Sequence, residues 1–256
     1  MDDRARAHYE TGVELGRLFH EDGQPRLELA RTLELLERFL PPAPADVLDV
    51  GGGPGVYSSA LSDRGYCVRL VDALEAHIDH ARRDGRFEAV VGDARALDAP
   101  DETYDAVLLM GPLYHLTARA DRIAALHEAR RVLRPGGVAF AVAVSRYASL
   151  FDGFRFGRFE DPGFADVVEG DLADGQHRNE HNAEGWFTTA FFHHPDELAA
   201  EVREAGLELD CVVGIEGPGA WFTAEPDVRM WAARITQGDP AVRAVSPHLL
   251  AVARRA

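Results

Sequence analysis

The stretch Val47-Leu48-Asp49-Val50-Gly51-Gly52-Gly53-Pro54-Gly55 decides the fold. An apolar run of strand length passes directly into a glycine-rich turn, and a helical pattern follows from Tyr57 to Arg64. Glycines here let the chain turn sharply and let a ligand approach the backbone without meeting a Cβ, while the helix start offers unpaired N–H groups. Set against the dinucleotide fingerprint G-x-G-x-x-G, Gly51 and Gly53 fit, but the sixth position is Val56. The pattern is better described as acidic-x-G-x-G-x-G, beginning at Asp49. A carboxylate has no part in phosphate binding, but it suits the ammonium of an amino-acid tail. Gly-Lys-Ser/Thr is absent, which removes the P-loop reading.

Outward from this turn, short apolar runs alternate with helical ones, as in a parallel sheet covered on both faces. Strands are expected near Asp46 to Val50, Cys67 to Asp72, Glu88 to Val91, Tyr104 to Met110, Gly137 to Val144, Glu208 to Ile215 and Leu249 to Ala253. Helices fit near Glu75 to Arg83, Arg119 to Leu133 and Pro195 to Ala205, with Arg134-Pro135-Gly136-Gly137 as a stop signal before the fifth strand. Upstream, Leu27 to Phe39 recurs at the helical period, and Tyr9, Val13, Leu15, Leu18 and Phe19 suggest a shorter helix. The cluster Pro41, Pro42 and Pro44 ends that region. Residues 1–44 are therefore expected to be a helical cap on an α/β domain spanning 45–256. Residues 145–194 carry many aromatics without a strand pattern and are expected to insert as a substrate lid.

The formal charge is −16, and every basic side chain other than histidine is arginine, because the chain has no lysine. Lysine Schiff-base chemistry is excluded. An acidic chain without a basic patch also argues against a nucleic-acid substrate. No apolar run reaches the ~20 residues that span a bilayer, and no secretory signal stands at the N-terminus, so a cytoplasmic protein with no membrane association is expected. Cys67 and Cys211 fall in expected strands and read as buried reduced thiols. His177, His181, His193 and His194 lie near Asp171, Asp174 and Glu180 but lack the spacing of a structural zinc site, so no metal is assigned.

Two further signals accompany the glycine turn. Asp72 ends the second strand, roughly 20 residues past the first glycine, where a carboxylate can accept both ribose hydroxyls, with Ala73 beside it. Gly92-Asp93-Ala94 ends the third strand, placing a carboxylate for an adenine amine and the Ala94 amide for a ring nitrogen. Three acids at the carboxyl ends of three successive strands fall on the edge where open α/β sheets bind ligands.

Together, Asp49 to Gly55, Asp72, Gly92-Asp93-Ala94, Tyr104 to Met110 and Val132-Leu133-Arg134-Pro135-Gly136-Gly137-Val138 resemble the class I S-adenosylmethionine-dependent methyltransferases. The resemblance implies a Rossmann-like, mostly parallel seven-stranded sheet of order 3-2-1-4-5-7-6, its strand seven antiparallel, with helices on both faces. It implies S-adenosylmethionine as cofactor, held by Asp49, Gly51, Gly52, Gly53, Gly55, Asp72, Ala73, Gly92, Asp93, Ala94 and Met110. Arg31, with Thr32, resembles a cap that in relatives reaches the methionine carboxylate; an exposed surface arginine is the other reading.

Gly111-Pro112-Leu113-Tyr114-His115-Leu116 follows the fourth strand, where many methyltransferases place the acceptor. Related amine methylases use Asn/Asp-Pro-Pro-Tyr there, and Gly111 disfavours their mechanism. His115 is then a candidate base, since imidazole titrates near neutral pH, with His177 a second. Tyr114, Tyr147, Trp186 and Trp221 are candidate substrate contacts. The expected reaction is methyl transfer to an O or N atom of a small molecule. A nicotinamide-dependent oxidoreductase and a non-catalytic S-adenosylmethionine-binding regulatory module are the rival readings. Acceptor identity and oligomeric state are not encoded in any motif.

Overall fold

Runs of Val, Leu and Ala without polar interruption must be covered on both faces, and in the structure these runs form the middle of one sheet. The structure is a computed structural model describing residues 16–20, 26–179, 183 and 186–256. β1 (Asp46–Val50) pairs in parallel with β2 (Cys67–Asp72) and β4 (Tyr104–Leu109). β2 continues to β3 (Glu88–Val91), and β4 to the long β5 (Leu133–Ser145). β9 (His248–Arg254) lies antiparallel between β5 and β8 (Glu208–Gly214). The path β3-β2-β1-β4-β5-β9-β8 reproduces the order implied by the resemblance.

The structure corrects the sequence reading of residues 145–194, which were expected to contain no strand. β7 (Ala190–His193) pairs in parallel with the end of β5, Val144 against Phe192 and Ser145 against His193, and β6 (Gln176–His177) pairs with β7. Four residues are too few for alternation to stand out, and the sheet edge rather than local propensity selects the extended form. What projects from the sheet is the helical part, α6 (Ala148–Phe156) and α7 (Phe164–Asp174).

Helices cover the two faces separately. On one face, α5 (Arg119–Val132) and α8 (Pro195–Glu204) bury Leu126, Ala129, Leu198 and Val202 against Leu48, Val107, Leu249 and Ala251. On the other, α1 (Leu27–Phe39) and α2 (Val56–Ser62) bury Leu29, Leu36, Tyr57 and Leu61 against Val47, Leu108, Leu250 and Val252. Successive strand residues thus serve opposite cores, as a period of two requires. Each fully buried aliphatic side chain contributes about 1.5–3 kcal/mol. α3 (Glu75–Ala81), α4 (Pro112–His115), α9 (Gly219–Phe222) and α10 (Pro226–Thr236) complete the described α-helices.

Between α5, α8 and β7 the Arg122 guanidinium is buried, bonded to Glu201 at 2.7 Å and stacked 3.6 Å above the Phe191 ring. Burial opposes ionisation of Glu201, but His193 and Arg122 outweigh it and hold its pKa at about 2. Two expectations need amendment. Cys67 is exposed rather than buried, because β2 begins with it at the open end of the sheet. The expected helix over Tyr9 to Phe19 lies largely outside the described residues.

Candidate active site

Every parallel strand of this sheet ends on the same edge, and the cleft lies there. It encloses about 730 Å³, open to solvent, and is lined by the ends of β1, β2 and β3 and by α4. Gly51, Gly53, Asp72, Ala73, Gly92, Asp93, Ala94, Tyr114 and His115, each singled out from sequence, meet in this lining.

Asp49 stands behind the turn with none of its surface exposed. Its Oδ2 accepts the Ser58 hydroxyl at 2.7 Å, while Oδ1 has no hydrogen-bond partner among the described residues. Burial, together with the like charge of Asp72, pushes its pKa up to about 6 despite the Ser58 bond. Asp72 is nearly as buried; its two oxygens accept the Gly53 and Leu74 amides, each at 2.9 Å. The second strand's acid therefore fixes the glycine turn that the first strand emits. Two buried carboxylates beside one cleft repel each other, and a cationic ligand relieves that repulsion.

The turn itself demands glycine at specific points. Gly51 has φ of +70°, and a Cβ there would lie 2.6 Å from Pro112 Cδ, so the backbone of β1 touches the start of α4. Gly52 and Gly55 do not line the cleft: a Cβ on Gly52 would strike Asp49 Oδ2 at 2.6 Å, and one on Gly55 the Phe87 ring at 2.7 Å. They admit the carboxylate and the helix packing. Met110 also packs in the core, and its carbonyl accepts the Tyr114 hydroxyl at 3.2 Å. At the far rim, Asp93 is paired with Arg95 at 2.6 Å, and the hydrogen bonds from Arg95 hold its carboxyl below the usual range.

On the other wall, His115 meets Tyr114 edge-on at 4.5 Å and stacks on Phe187 at 6.2 Å. Sequence reasoning missed His77, which also lines the cleft with Nδ1 3.2 Å from Asp72 Oδ1. Its only signal was its place, five residues after Asp72 in the first turns of α3.

Several candidates lie elsewhere. Arg31 is buried, with its guanidinium on Glu34 at 2.7 Å, Gln237 at 2.8 Å and the Ile215 carbonyl, so it ties α1 to the sheet and stays out of the cleft. His177 is buried with Nδ1 on Asp171 at 2.9 Å and Nε2 on the Phe187 carbonyl at 3.2 Å, which occupies both nitrogens. Tyr147 lines a separate groove with His194. Trp186 packs on Phe164 and donates to Asp161, and Trp221 packs on Phe151 and donates to Asp152 at 2.7 Å. His181 falls outside the described residues. Glu28, Glu216 and His248 bring three potential donor atoms within 4.8 Å of one another. The Arg17 guanidinium engages both Glu28 oxygens, and Glu216 and His248 bond each other, which is the geometry of an ion-pair cluster.

Comparison with known proteins agrees with this geometry. A model of the family described as "Methyltransferase domain" matches residues 47–137. The ubiquinone biosynthesis O-methyltransferase of Xylella fastidiosa (strain 9a5c) is 30% identical over 189 residues, covering 72% of this chain and 69% of that protein. The cypemycin N-terminal methyltransferase of a Streptomyces species is 41% identical over 98 residues, 37% of this chain and 40% of that protein. Among solved structures, the CcbJ methyltransferase of Streptomyces caelestis superposes over the full length of both chains with a TM-score of 0.64 at 19% identity, a likeness of fold. Among the described residues, no helix is long and apolar enough to cross a membrane. The glycine turn with its two buried acids, the strand order and the relationship across more than two thirds of a relative place the chain in the class I S-adenosylmethionine-dependent methyltransferase family, as an enzyme of S-adenosylmethionine-dependent methyl transfer.

Proposed function

We propose that the enzyme methylates an oxygen or nitrogen atom of a small molecule, and that the cleft holds the cofactor along β1 to β3 with the acceptor above β4 and β5. The observation that carries the cofactor placement is the unpartnered, fully buried Asp49 oxygen beside Asp72. Asp49 takes the methionine ammonium, Asp72 accepts the ribose hydroxyls with lone pairs its two amide bonds leave over, and Asp93 with the Ala94 amide reads the adenine edge. The sulfonium supplies an electrophilic methyl, so the protein's remaining tasks are alignment and exclusion of water. Tyr114 and His115 form the wall facing the acceptor, with Phe187 behind His115 as an apolar backing. The helices α6 and α7 are proposed to cover that side.

A small acceptor is supported by the acidic charge of the chain, which repels nucleic acid, and by the biosynthetic relative named above. The test has two arms. Calorimetry with S-adenosylhomocysteine and with NAD should give binding of the first alone. Release of S-adenosylhomocysteine should then be followed over a panel of phenols, catechols, and primary and secondary amines. Turnover of peptides or nucleic acids with none of the panel accepted would overturn the small-molecule reading.

A further inference from the structure

Beside the carboxyl end of β5, on the side proposed for the acceptor and outside the lining given above for the cleft, stands a polar group that the sequence reading did not use. His248 opens β9, which lies beside β5, and its pairing partner Val144 is near the carboxyl end of β5. Neighbouring strands are about 4.8 Å apart, so His248 lies about two strand spacings from the edge of β4, where Tyr114 and His115 stand. Alternation along β9 sets its face. Leu249, Ala251 and Ala253 join the α5 and α8 core, whereas Leu250 and Val252 join the core that holds Tyr57 and Tyr114. His248 is in phase with the second set. Tyr57 shares that buried core with Tyr114, and the charges of Glu28 and Arg17 act on its phenol.

The imidazole is held as a base would be. Its Nδ1 bonds Glu216 Oε1 at 2.5 Å, and its backbone amide donates to Glu216 Oε2 at 3.1 Å. Ser246 also donates to that Oε2, at 3.1 Å. Glu216 is 5% exposed, so the carboxylate that orients the ring is itself fixed. The Nε2 atom has no hydrogen-bond partner among the described residues, and the side chain keeps 18% of its surface. An imidazole oriented by a buried carboxylate through one nitrogen and open at the other is the arrangement that general-base catalysis requires.

We infer that His248, positioned by Glu216, takes the proton of the methyl acceptor. The inference rests on the proposed placement of the acceptor above β4 and β5. As the acceptor's lone pair forms the bond to the methyl carbon, the methyl–sulfur bond breaks and its pair stays on sulfur. The O–H or N–H proton of the acceptor passes to Nε2 of His248 and leaves to solvent after product release.

The groups facing His248 are Glu216 after β8, Glu28 on α1, Arg17 before α1 and Asp152 on α6. Burial pulls the imidazole pKa down, but Glu216 and Glu28 outweigh burial and Arg17 and push it up to about 9. A base of that strength suits a weakly acidic hydroxyl or an alkylammonium, and it makes turnover rise with pH up to about 9.

The experiment uses His248→Gln and Glu216→Gln in the full chain, with the best-accepted phenol or amine of the panel as probe. In His248→Gln, kcat should fall roughly 100-fold while S-adenosylhomocysteine affinity stays within threefold; the melting temperature should fall as well, because Glu216 and Glu28 lose the imidazolium between them. The acidic limb of the pH profile should vanish in that variant. It should move to lower pH in Glu216→Gln, a shift that ionisation of the acceptor alone does not produce. An acceptor-free arm follows modification of the S-adenosylhomocysteine complex by diethyl pyrocarbonate, mapped by mass spectrometry: His248 should react, faster as pH rises to about 9, and at lower pH in Glu216→Gln. A His248 that resists the reagent while exposed histidines react, or a His248→Gln enzyme within threefold of wild-type kcat, overturns the inference. A wild-type enzyme inactive on the whole panel counts against the small-molecule reading instead.

Discussion

Asp49→Asn should strengthen the empty protein and weaken the loaded one. The Asp49 carboxylate carries no exposed surface and titrates near 6 instead of its ordinary 3.8, because burial and Asp72 both disfavour its charge. An acid whose folded pKa is raised costs stability once the pH passes its unfolded value, and the cost is complete above its folded value. Between 3.8 and about 6 the penalty grows to about 3 kcal/mol, reaching about half of that at pH 5 and all of it at pH 8. The amide is isosteric and uncharged and can keep the Ser58 bond. Asp49→Asn should therefore stabilise the ligand-free enzyme by up to about 3 kcal/mol at pH 8 and by about half as much at pH 5. The amide lacks the charge that an ammonium needs, so S-adenosylhomocysteine should bind roughly 10- to 100-fold more weakly, the loss of a charge-assisted contact worth about 1.5–3 kcal/mol. Urea unfolding at both pH values and calorimetry on the same preparations measure the two effects. Equal stability changes at pH 5 and pH 8, or unchanged affinity, would refute the reading of Asp49 as a buried charge held for a cation.

Three other outcomes follow from the same geometry. Gly51→Ala places a side chain at φ of +70° and 2.6 Å from Pro112 Cδ, so it should cost about 2–4 kcal/mol, visible as a lower melting temperature, and should weaken cofactor binding. His115→Ala should lower kcat on the best panel acceptor roughly 10-fold or more with S-adenosylhomocysteine affinity within threefold; unchanged kcat would make His115 a packing residue. Arg122→Leu leaves Glu201 buried without its guanidinium, and denaturant unfolding should show a loss of about 3–5 kcal/mol; a loss under 1 kcal/mol would mean that the network is not a coupled unit.

The cofactor half of the site was legible because it is local. Asp49, Gly51, Gly53, Asp72, Asp93 and Ala94 each end a strand or form the turn after it, so the βα rhythm that reveals the sheet also places them on one edge. Roles within that edge were less legible. Asp72 was read as a ribose contact, yet both its oxygens first hold backbone amides of the cradle, a division of labour that depends on the angle of the turn. Met110 sits at the expected strand end but points into the core, because α4 begins so soon after it that Tyr114 and His115 occupy the wall. His177 was read as a second possible base because imidazole titrates near neutral pH, yet Asp171 and the Phe187 carbonyl consume its nitrogens.

The acceptor half resists sequence reading for a different physical reason. The groups proposed for it come from α1, from α4, from α6, from the loop before β7, and from the two ends of the β8–β9 excursion, so Glu28 and Glu216 meet His248 across 220 and 32 residues of chain. No short-range period encodes such a meeting; only the antiparallel return of β9 beside β5 does, by carrying its first residue back to the ligand edge. This division has a consequence for specificity. Substitutions at Glu28, Asp152, Phe187 or Glu216 alter groups that lie away from the glycine turn, while the turn keeps Asp49, Ser58 and Asp72 in place through bonds made wholly within residues 49–74. Exchanging residues at those four positions should therefore change which acceptors the panel reports, with S-adenosylhomocysteine affinity held within a few-fold. Loss of cofactor binding in every such variant would show that the two halves are mechanically coupled, and the separation argued from the hydrogen bonds would fail.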